Sequence, residues 1–345
     1  MRVLHLISTS VFSGAENVAC QIINMCKDEK DIEMYYVAVL GENEAILKDR
    51  NVKYIGLKKF SLSHIGKMVK EYKPDIIHAH DIKSSFYASF FYKKAKIISH
   101  VHNNHEGMRK PGLKSILYNL VSNKFSKIIW VSKSALNSYC YKKNITSKSI
   151  VLYNVINASE IKQKAEKDKN KYNYDLVFLG RLTYQKNPER LIEIMKDIVK
   201  NHNSIKLAII GEGELKETLK EMIKSNKLEK NVEMLGFLKN PYKILSETKF
   251  LILTSRFEGT PMVALEAMAL GIPVISTYTD GMIDIIKTGV NGFLCNTNEE
   301  FVSTINRNIY DAASLKKLKK STEAIGKKIN SLENYKEKII KVYYN

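Results

Sequence analysis

Strands alternating with helices along nearly the whole chain predict an α/β protein made of two doubly wound domains with parallel sheets. Three observations carry this. Short β-branched runs recur along the sequence, longer stretches with helical spacing separate them, and the alternation pauses once, in the charged segment 162–171, before resuming. A chain of 345 residues is long enough for two domains that each bury a core.

In the first half, residues 3–7, 34–39, 75–78, 96–100, 127–131 and 149–152 read as buried strands because they are short, apolar and β-branched. Between them, 15–26, 62–72 and 83–92 place apolar residues at helical spacing. The apolar-poor run 162–171 reads as a connection, which puts a hinge near 157–173 and domains at 1–160 and 174–330. Strands resume at 176–179, 206–210, 231–234, 250–253, 273–275 and 292–294. The Lys-rich tail from Ser314 has a helical pattern, and 331–345 is expected as a C-terminal helix packing back on the first domain.

With 44% hydrophobic and 26% charged residues, wholesale disorder is excluded. A net charge of +19 points to a polyanionic partner: nucleic acid, a phosphorylated substrate or an anionic membrane face. No apolar run approaches the ~20 residues of a membrane span, and the opening apolar run is broken too soon for a secretory signal. Cys20, Cys26, Cys140 and Cys295 form no CxxC pair and no cluster, which fits thiols in a reducing cytoplasm better than disulfides or zinc.

In doubly wound sheets ligands bind at the carboxyl ends of the strands, so residues just after strands matter most. The segment 254–275 is the most informative. An apolar strand runs into a polar turn with Glu258 and Gly259, and Pro261 stands where a helix should begin, the position it tolerates best. Free N–H groups at such a helix start suit a phosphate. Glu258 and Glu266 are too far apart for a direct carboxylate pair. One can face a reacting group while the other accepts hydrogen bonds from a diol. Glu266 sits among Ala264, Leu265, Ala267, Met268 and Ala269, and a carboxylate so placed needs a partner.

Glu258-x7-Glu266, within Ser-Arg-Phe-Glu-Gly-Thr-Pro-Met-Val-Ala-Leu-Glu-Ala-Met-Ala-Leu-Gly-Ile-Pro-Val-Ile-Ser, resembles the signature of retaining glycosyltransferases of family 4, which have the GT-B fold of two facing Rossmann-like domains with an interdomain cleft. Gly180-Arg181-Leu182 with Lys186, Gly211-Glu212-Gly213, Leu235-Gly236-Phe237, Ser13-Gly14-Ala15-Glu16, Asp75-Ile76-Ile77-His78-Ala79-His80, Val101-His102-Asn103 and Val131-Ser132-Lys133-Ser134 agree in the expected order, over about residues 1 to 296. The resemblance implies that Arg181 and Lys186 clamp the donor diphosphate and that Glu266 holds the ribose hydroxyls. It implies that Glu258 lies against the transferred sugar, and that backbone amides around Thr260, Met262 and Val263 meet phosphate. The backbone near Phe237 would border the base, although its side chain reads equally well as a core aromatic. Gly14 would let the first strand–helix loop approach phosphates or acceptor without a Cβ, and His102 would be a donor-sugar or catalytic contact. Thr279-Asp280-Gly281-Met282-Ile283-Asp284 departs from the family's usual Gly-Gly-Ile/Val-Pro-Glu, with Ile283 for the proline and Asp284 for the glutamate.

Histidine supplies a rival chemistry. His78, His80, His100, His102 and His105 are five of the eight histidines, with Asp81 and Glu106 nearby, so a metal site is conceivable. The resemblance instead explains His78-Ala79-His80 as a structural strand end. No Asp-x-Asp occurs, and the expectation is an enzyme with neither metal nor cofactor. No GxGxxG loop supports a dinucleotide reading.

Residues 82–150 hold twelve lysines and Arg109 against Glu106 alone, interleaved with ten aromatic residues. Together with 104–120, which reads as a mobile loop leading into a basic helix, this suggests docking at an anionic bilayer. The competing reading is a solvated basic face with core aromatics. No nucleic-acid motif occurs, so no nucleic-acid partner is expected.

The expected function is therefore retaining transfer from a nucleotide-diphosphate sugar, UDP-sugar favoured, to a hydroxyl of a lipid-linked or oligosaccharide acceptor. The setting would be capsule, exopolysaccharide or glycolipid synthesis, at the inner face of the cytoplasmic membrane. The alternatives are a nucleotide-sugar epimerase or hydrolase of the same fold and a non-catalytic sugar-nucleotide-binding subunit.

Overall fold

The β-branched runs become strands, and every pairing between them is parallel. This computed structural model describes the chain except Val11, Ser13, Glu42, Asn103, Asn104 and His105 and the side chain of Glu106. The expectations placed on Ser13, Asn103, His105 and the Glu106 carboxylate lie outside the described residues.

The first sheet contains β1 (Arg2–Leu6), β2 (Glu33–Val39), β3 (Tyr54–Leu57), β4 (Ile76–Ala79), β5 (Lys96–Val101), β6 (Lys127–Trp130) and β7 (Ser149–Val151), in the order β3-β2-β1-β4-β5-β6-β7. The second contains β8 (Leu176–Leu179), β9 (Leu207–Ile210), β10 (Val232–Gly236), β11 (Phe250–Leu253), β12 (Val274–Ser276) and β13 (Gly292–Leu294), in the order β10-β9-β8-β11-β12-β13. Strand order reverses beside β1 and beside β8, so each sheet has a topological switch point, where doubly wound folds bind ligands. The edge strand β3 was not foreseen: it is four residues long and mostly part-exposed, so it lacks the continuous apolar signature of a buried parallel strand.

Two compact units result, Met1–Asn154 with Leu332–Asn345, and Val155–Ser331. The expected boundary needs correction. Residues 158–167 are not a linker but the helix Ala158–Lys167, capped by the Asn157 side chain, which accepts from the Glu160 N–H. Ile161 and Ala165, one helical turn apart, bury one face against the helices Tyr242–Glu247 and Met262–Ala269. Two small apolar contacts suffice for a short helix, and the lysines on its other faces hid them in the composition. At the other end, the helix Leu332–Tyr344 buries Tyr335, Ile339, Val342 and Tyr343 within the first unit. Lys336 pairs there with Glu29 at 2.5 Å.

The core of the second unit gathers around Phe178, Leu191, Met195, Ile252 and Phe301. The helix Pro188–Asn201 starts with its proline at the first turn and turns a buried stripe from Leu191 to Ile198 onto the sheet. In the first unit Trp130, Tyr118, Phe125 and Tyr139 are fully buried. Much of the aromatic content of the basic stretch is therefore core, as the bland reading expected.

Candidate functional site

Three loops leave the carboxyl ends of β8, β9 and β10 and knit together. Gly211, at φ +144°, comes so close to the preceding loop that a Cβ there would lie 1.9 Å from the Gly180 carbonyl oxygen. Leu182 N–H donates to Glu212 O at 2.9 Å, and Leu215 N–H returns to Leu182 O at 3.0 Å. Arg181 lies on this rim, exposed, with no side-chain partner among the described residues.

The loop after β8 is also fastened to the one after β11. Thr254 Oγ1 donates to the Asn187 carbonyl at 2.8 Å, Arg256 N–H donates to Gln185 O at 2.8 Å, and Gln185 Nε2 donates to Phe257 O at 3.1 Å. Asn187 takes the left-handed conformation, φ 50°, which lets the chain turn sharply into the next helix. These bonds bring Lys186 to Glu258, Nζ to Oε1 at 2.5 Å, with side-chain exposures of only 15% and 7%. Ser255 Oγ donates to the same carboxylate oxygen at 2.7 Å. The pair is charge-assisted and nearly buried, so each member depends on the other.

Beyond Pro261 runs the helix Met262–Ala269. Its first ladder bonds go from Ala264 and Leu265 N–H to Pro261 O, so the N–H groups of Met262 and Val263 stand ahead of the ladder. Ala264, Leu265, Ala267, Met268 and Ala269 are buried, which leaves Met262, Val263, Glu266 and Leu270 as a half-buried stripe. Glu266 is thus one turn behind the helix start, on the same face. Burial among apolar neighbours pushes its carboxyl up to about 7, opposed by the hydrogen bond from Tyr242 Oη at 3.3 Å and by the positive charge of Lys164.

Phe237 follows Gly236, whose φ is +68°, and its side chain is 76% exposed. The core-aromatic alternative for it is therefore wrong: the turn at Gly236 throws the ring off the sheet. The irregular segment becomes the short helix Asp280–Ile285, and Gly281 approaches the backbone of Gly259 so closely that any Cβ would overlap it. Ser255, Gln185, Tyr242 and Gly281 belong to this site although none was singled out. Ser255, Gln185 and Gly281 lay inside segments that the resemblance had picked out, whereas Tyr242 carries no signal until the loops are folded together.

Residues 159–328 match the family described as Glycosyl transferases group 1, and residues 26–160 match Glycosyltransferase Family 4. The fold is that of the Anabaena protein HepE in complex with UDP-glucose, with a TM-score of 0.86, 19% identity and coverage of 99% and 98% of the two chains. The chain belongs to the family 4-like GT-B glycosyltransferases. An uncharacterized glycosyltransferase of Methanocaldococcus jannaschii is 32% identical over 254 residues, a match spanning 67% of this chain and 60% of that relative. The Escherichia coli UDP-Gal:alpha-D-GlcNAc-diphosphoundecaprenol alpha-1,3-galactosyltransferase is 24% identical over 347 residues, or 87% of this chain and 85% of that one.

Arg181, Lys186, Phe237, Glu258, Thr260, Met262, Val263 and Glu266 of this glycosyltransferase thus all stand at strand ends or on the helix after β11 in the second unit. The other two expected residues lie in the first. Gly14 opens the helix Gly14–Met25, and a Cβ there would meet nothing within 4 Å, so packing alone does not demand a glycine. His102 lies just past β5 and hydrogen-bonds to His80, Nε2 to Nδ1, at 3.0 Å. Burial pushes it down to about 3, which keeps the ring neutral.

Proposed function

We propose that this glycosyltransferase moves a sugar with retention from a nucleotide-diphosphate sugar, UDP-linked in the first instance, to a hydroxyl of a lipid-linked or oligosaccharide acceptor for cell-surface polysaccharide or glycolipid. The observation that carries the reading is the grouping of Lys186, Glu258 and Ser255 beside the open first turn of the helix bearing Glu266. Arg181 and Lys186 neutralise the diphosphate, and the N–H groups at Met262 and Val263, with Thr260, receive its oxygens. Glu266 accepts the ribose hydroxyls, and the backbone at Phe237 borders the base. Glu258 meets the transferred sugar, and His102 and Gly14 keep the contact roles that the family resemblance implies for them.

As the bond from the anomeric carbon to phosphate breaks, the acceptor oxygen bonds to that carbon from the same face. The acceptor proton passes to the departing phosphate. The two cations lower the energy of the charge that develops. The reaction calls for no cofactor or metal ion. Support for a lipid-linked acceptor comes from the diphosphoundecaprenol substrate in the name of the Escherichia coli relative.

A ligand that binds only the folded state raises its melting temperature. In a thermal-shift comparison of UDP, GDP and ADP, UDP should give the largest rise, and no response to any of the three would remove the donor reading. Donor turnover should require added acceptor, which an epimerase or hydrolase does not.

A second observation favours docking on an anionic membrane at the inner face of the cytoplasmic membrane. The helix Leu113–Val121 buries Ser115, Tyr118 and Val121 but exposes Leu113 (76%), Ile116, Leu117 and Leu120 (63%) on its opposite side. Phe90 and Tyr92 are also exposed, each with the Lys124 ammonium 5.4 Å from its ring centroid. Aliphatic side chains rimmed by lysines suit the headgroup boundary of a bilayer. The protein should sediment with phosphatidylglycerol vesicles at low salt. Leu113→Ser with Leu120→Ser should weaken that binding by about tenfold or more, since each buried leucine contributes about 1.5–3 kcal/mol. Equal binding to phosphatidylcholine vesicles, or no effect of the double substitution, sinks the docking face.

A further inference from the structure

The first sheet carries an array of imidazoles that the transfer reading uses only at one edge. His5 on β1 and His78 on β4 are register partners, and His80 follows two residues along the same face. Ile98 of β5 lies opposite His78, so His100 and His102 fall on that face too. His5, His78, His80 and His100 are fully buried. The rings lie nearly parallel, with interplanar angles from 16° to 36°. Their nitrogens meet one another in turn, and two triads, His5 with His78 and His80, and His80 with His100 and His102, each bring one ring nitrogen per residue within 4.8 Å of the others.

The contacts form a single chain. His102 Nε2 meets His80 Nδ1 at 3.0 Å, and His80 Nε2 meets His5 Nδ1 at 2.9 Å. His5 Nε2 lies 3.5 Å from Tyr343 Oη, and Tyr343 Oη lies 2.8 Å from His78 Nδ1. His78 Nε2 then meets His100 Nδ1 at 3.1 Å. The two ends, His102 Nδ1 and His100 Nε2, have no hydrogen-bond partner among the described residues.

A neutral imidazole has one N–H and one bare nitrogen, so in such a chain every ring must donate in the same direction. Burial holds all five histidines neutral by pushing their pKa values far down, His5 to about 3 and the other inner rings well below the ordinary value. The direction is set at the phenol. A phenol O–H is a good donor and its oxygen a poorer acceptor, so its proton goes to the short contact at His78. His78 then donates to His100. On the other side His5 must turn an N–H toward the phenol oxygen, which leaves its Nδ1 to accept from His80, and His80 Nδ1 to accept from His102.

We propose that this is a proton-ordered histidine chain and that Tyr343, on the C-terminal helix, sets the tautomer of His102: N–H at Nε2 toward His80, and a bare Nδ1. Tyr343, His5 and His80 are then positioning residues. They fix the ring plane of His102 and leave it a single acceptor. Resting on the reading of His102 as a donor-sugar contact, any hydrogen bond between its ring nitrogen and the sugar must be donated by the sugar hydroxyl.

Multiple-bond proton–nitrogen NMR of the full chain with ¹⁵N-histidine at neutral pH reads the tautomers without reference to transfer. Wild type should show His102 protonated at Nε2 alone. Tyr343→Phe should turn His102 into a tautomer mixture and lower kcat several-fold, with little change in donor KM. Tyr335→Phe is the control on the same helix, because the Tyr335 hydroxyl is buried without a partner among the described residues; it should change neither reading. An Nδ1-protonated or mixed His102 in wild type overturns the proposal even if the variant does not fold. Unchanged tautomers in Tyr343→Phe overturn it as well. Altered tautomers with unchanged transfer leave the chain standing and remove His102 from the reaction.

Discussion

Lys186→Met should slow transfer by about a hundredfold or more and lower the stability of the second unit, and adding Glu258→Gln should restore the stability without the activity. The Lys186–Glu258 pair, at 2.5 Å and with both side chains largely withdrawn from water, is worth little as a pair but costly to break. Removing one partner of such a pair costs about 3–5 kcal/mol, because the other charge stays buried and uncompensated. Ser255 still donates to Glu258, which should hold the loss near the lower end of that range. Glutamine in place of Glu258 removes the stranded charge and can still accept from Ser255, so the double variant should unfold close to the wild-type midpoint. Transfer behaves otherwise. Lys186 is proposed to neutralise the leaving diphosphate, and losing one electrostatic donor at such a position costs about 10²- to 10³-fold in kcat. Urea midpoints and turnover measured for both singles and the double form a mutant cycle with strongly non-additive stability and no recovery of rate. Full transfer by Lys186→Met removes the clamp; a double variant as unstable as the single removes the pair.

The pair itself was not legible in the sequence, although both of its members were. Lys186 and Glu258 stand out through the resemblance, but nothing in two separate motifs says that they neutralise each other before a donor arrives. That follows from the bonds that tie Gln185 and Asn187 to the loop after β11. The strands were legible because parallel strands buried on both faces must be apolar throughout, and β8, β9 and β11 show it plainly. The edge strand β3 and the helix Ala158–Lys167 bury too few side chains to leave such a mark. The histidines show the same limit from the other side. The cluster at 78–105 was visible, whereas His5 and Tyr343 join it only because β1 lies beside β4 and the C-terminal helix lies over the array. In the basic stretch the aromatics drew attention, yet the exposed apolar face is mostly the leucines of one short helix. Exposure there is decided by which three residues the helix buries, and composition does not record that.

Glu266→Gln should make the chain more stable at pH 8 and weaken nucleotide binding at the same time. The folded chain raises the Glu266 carboxyl to about 7 from an ordinary 4.5, mainly by burial. It therefore binds this proton more tightly folded than unfolded. The stability linked to it is fully present below pH 4.5 and is lost as pH rises through 7. At 1.36 kcal/mol per unit the difference amounts to about 3 kcal/mol. Glutamine cannot ionise, so Glu266→Gln should keep that stability at pH 8 and match wild type near pH 5, as urea midpoints at the two values will read. A ribose diol reverses the preference, since two hydroxyls donating to the carboxylate favour its charged form. UDP binding should therefore expel a proton below pH 7, and affinity should climb with pH until Glu266 is ionised in the free protein as well. Calorimetry in two buffers of different ionisation enthalpy measures that proton. Losing hydrogen bonds to a charged acceptor costs about 1.5–3 kcal/mol, so Glu266→Gln should bind UDP about ten- to a hundredfold more weakly and release no proton. A gain in stability without a loss of affinity would show that Glu266 is only a buried acid, and the diol would have to be held elsewhere.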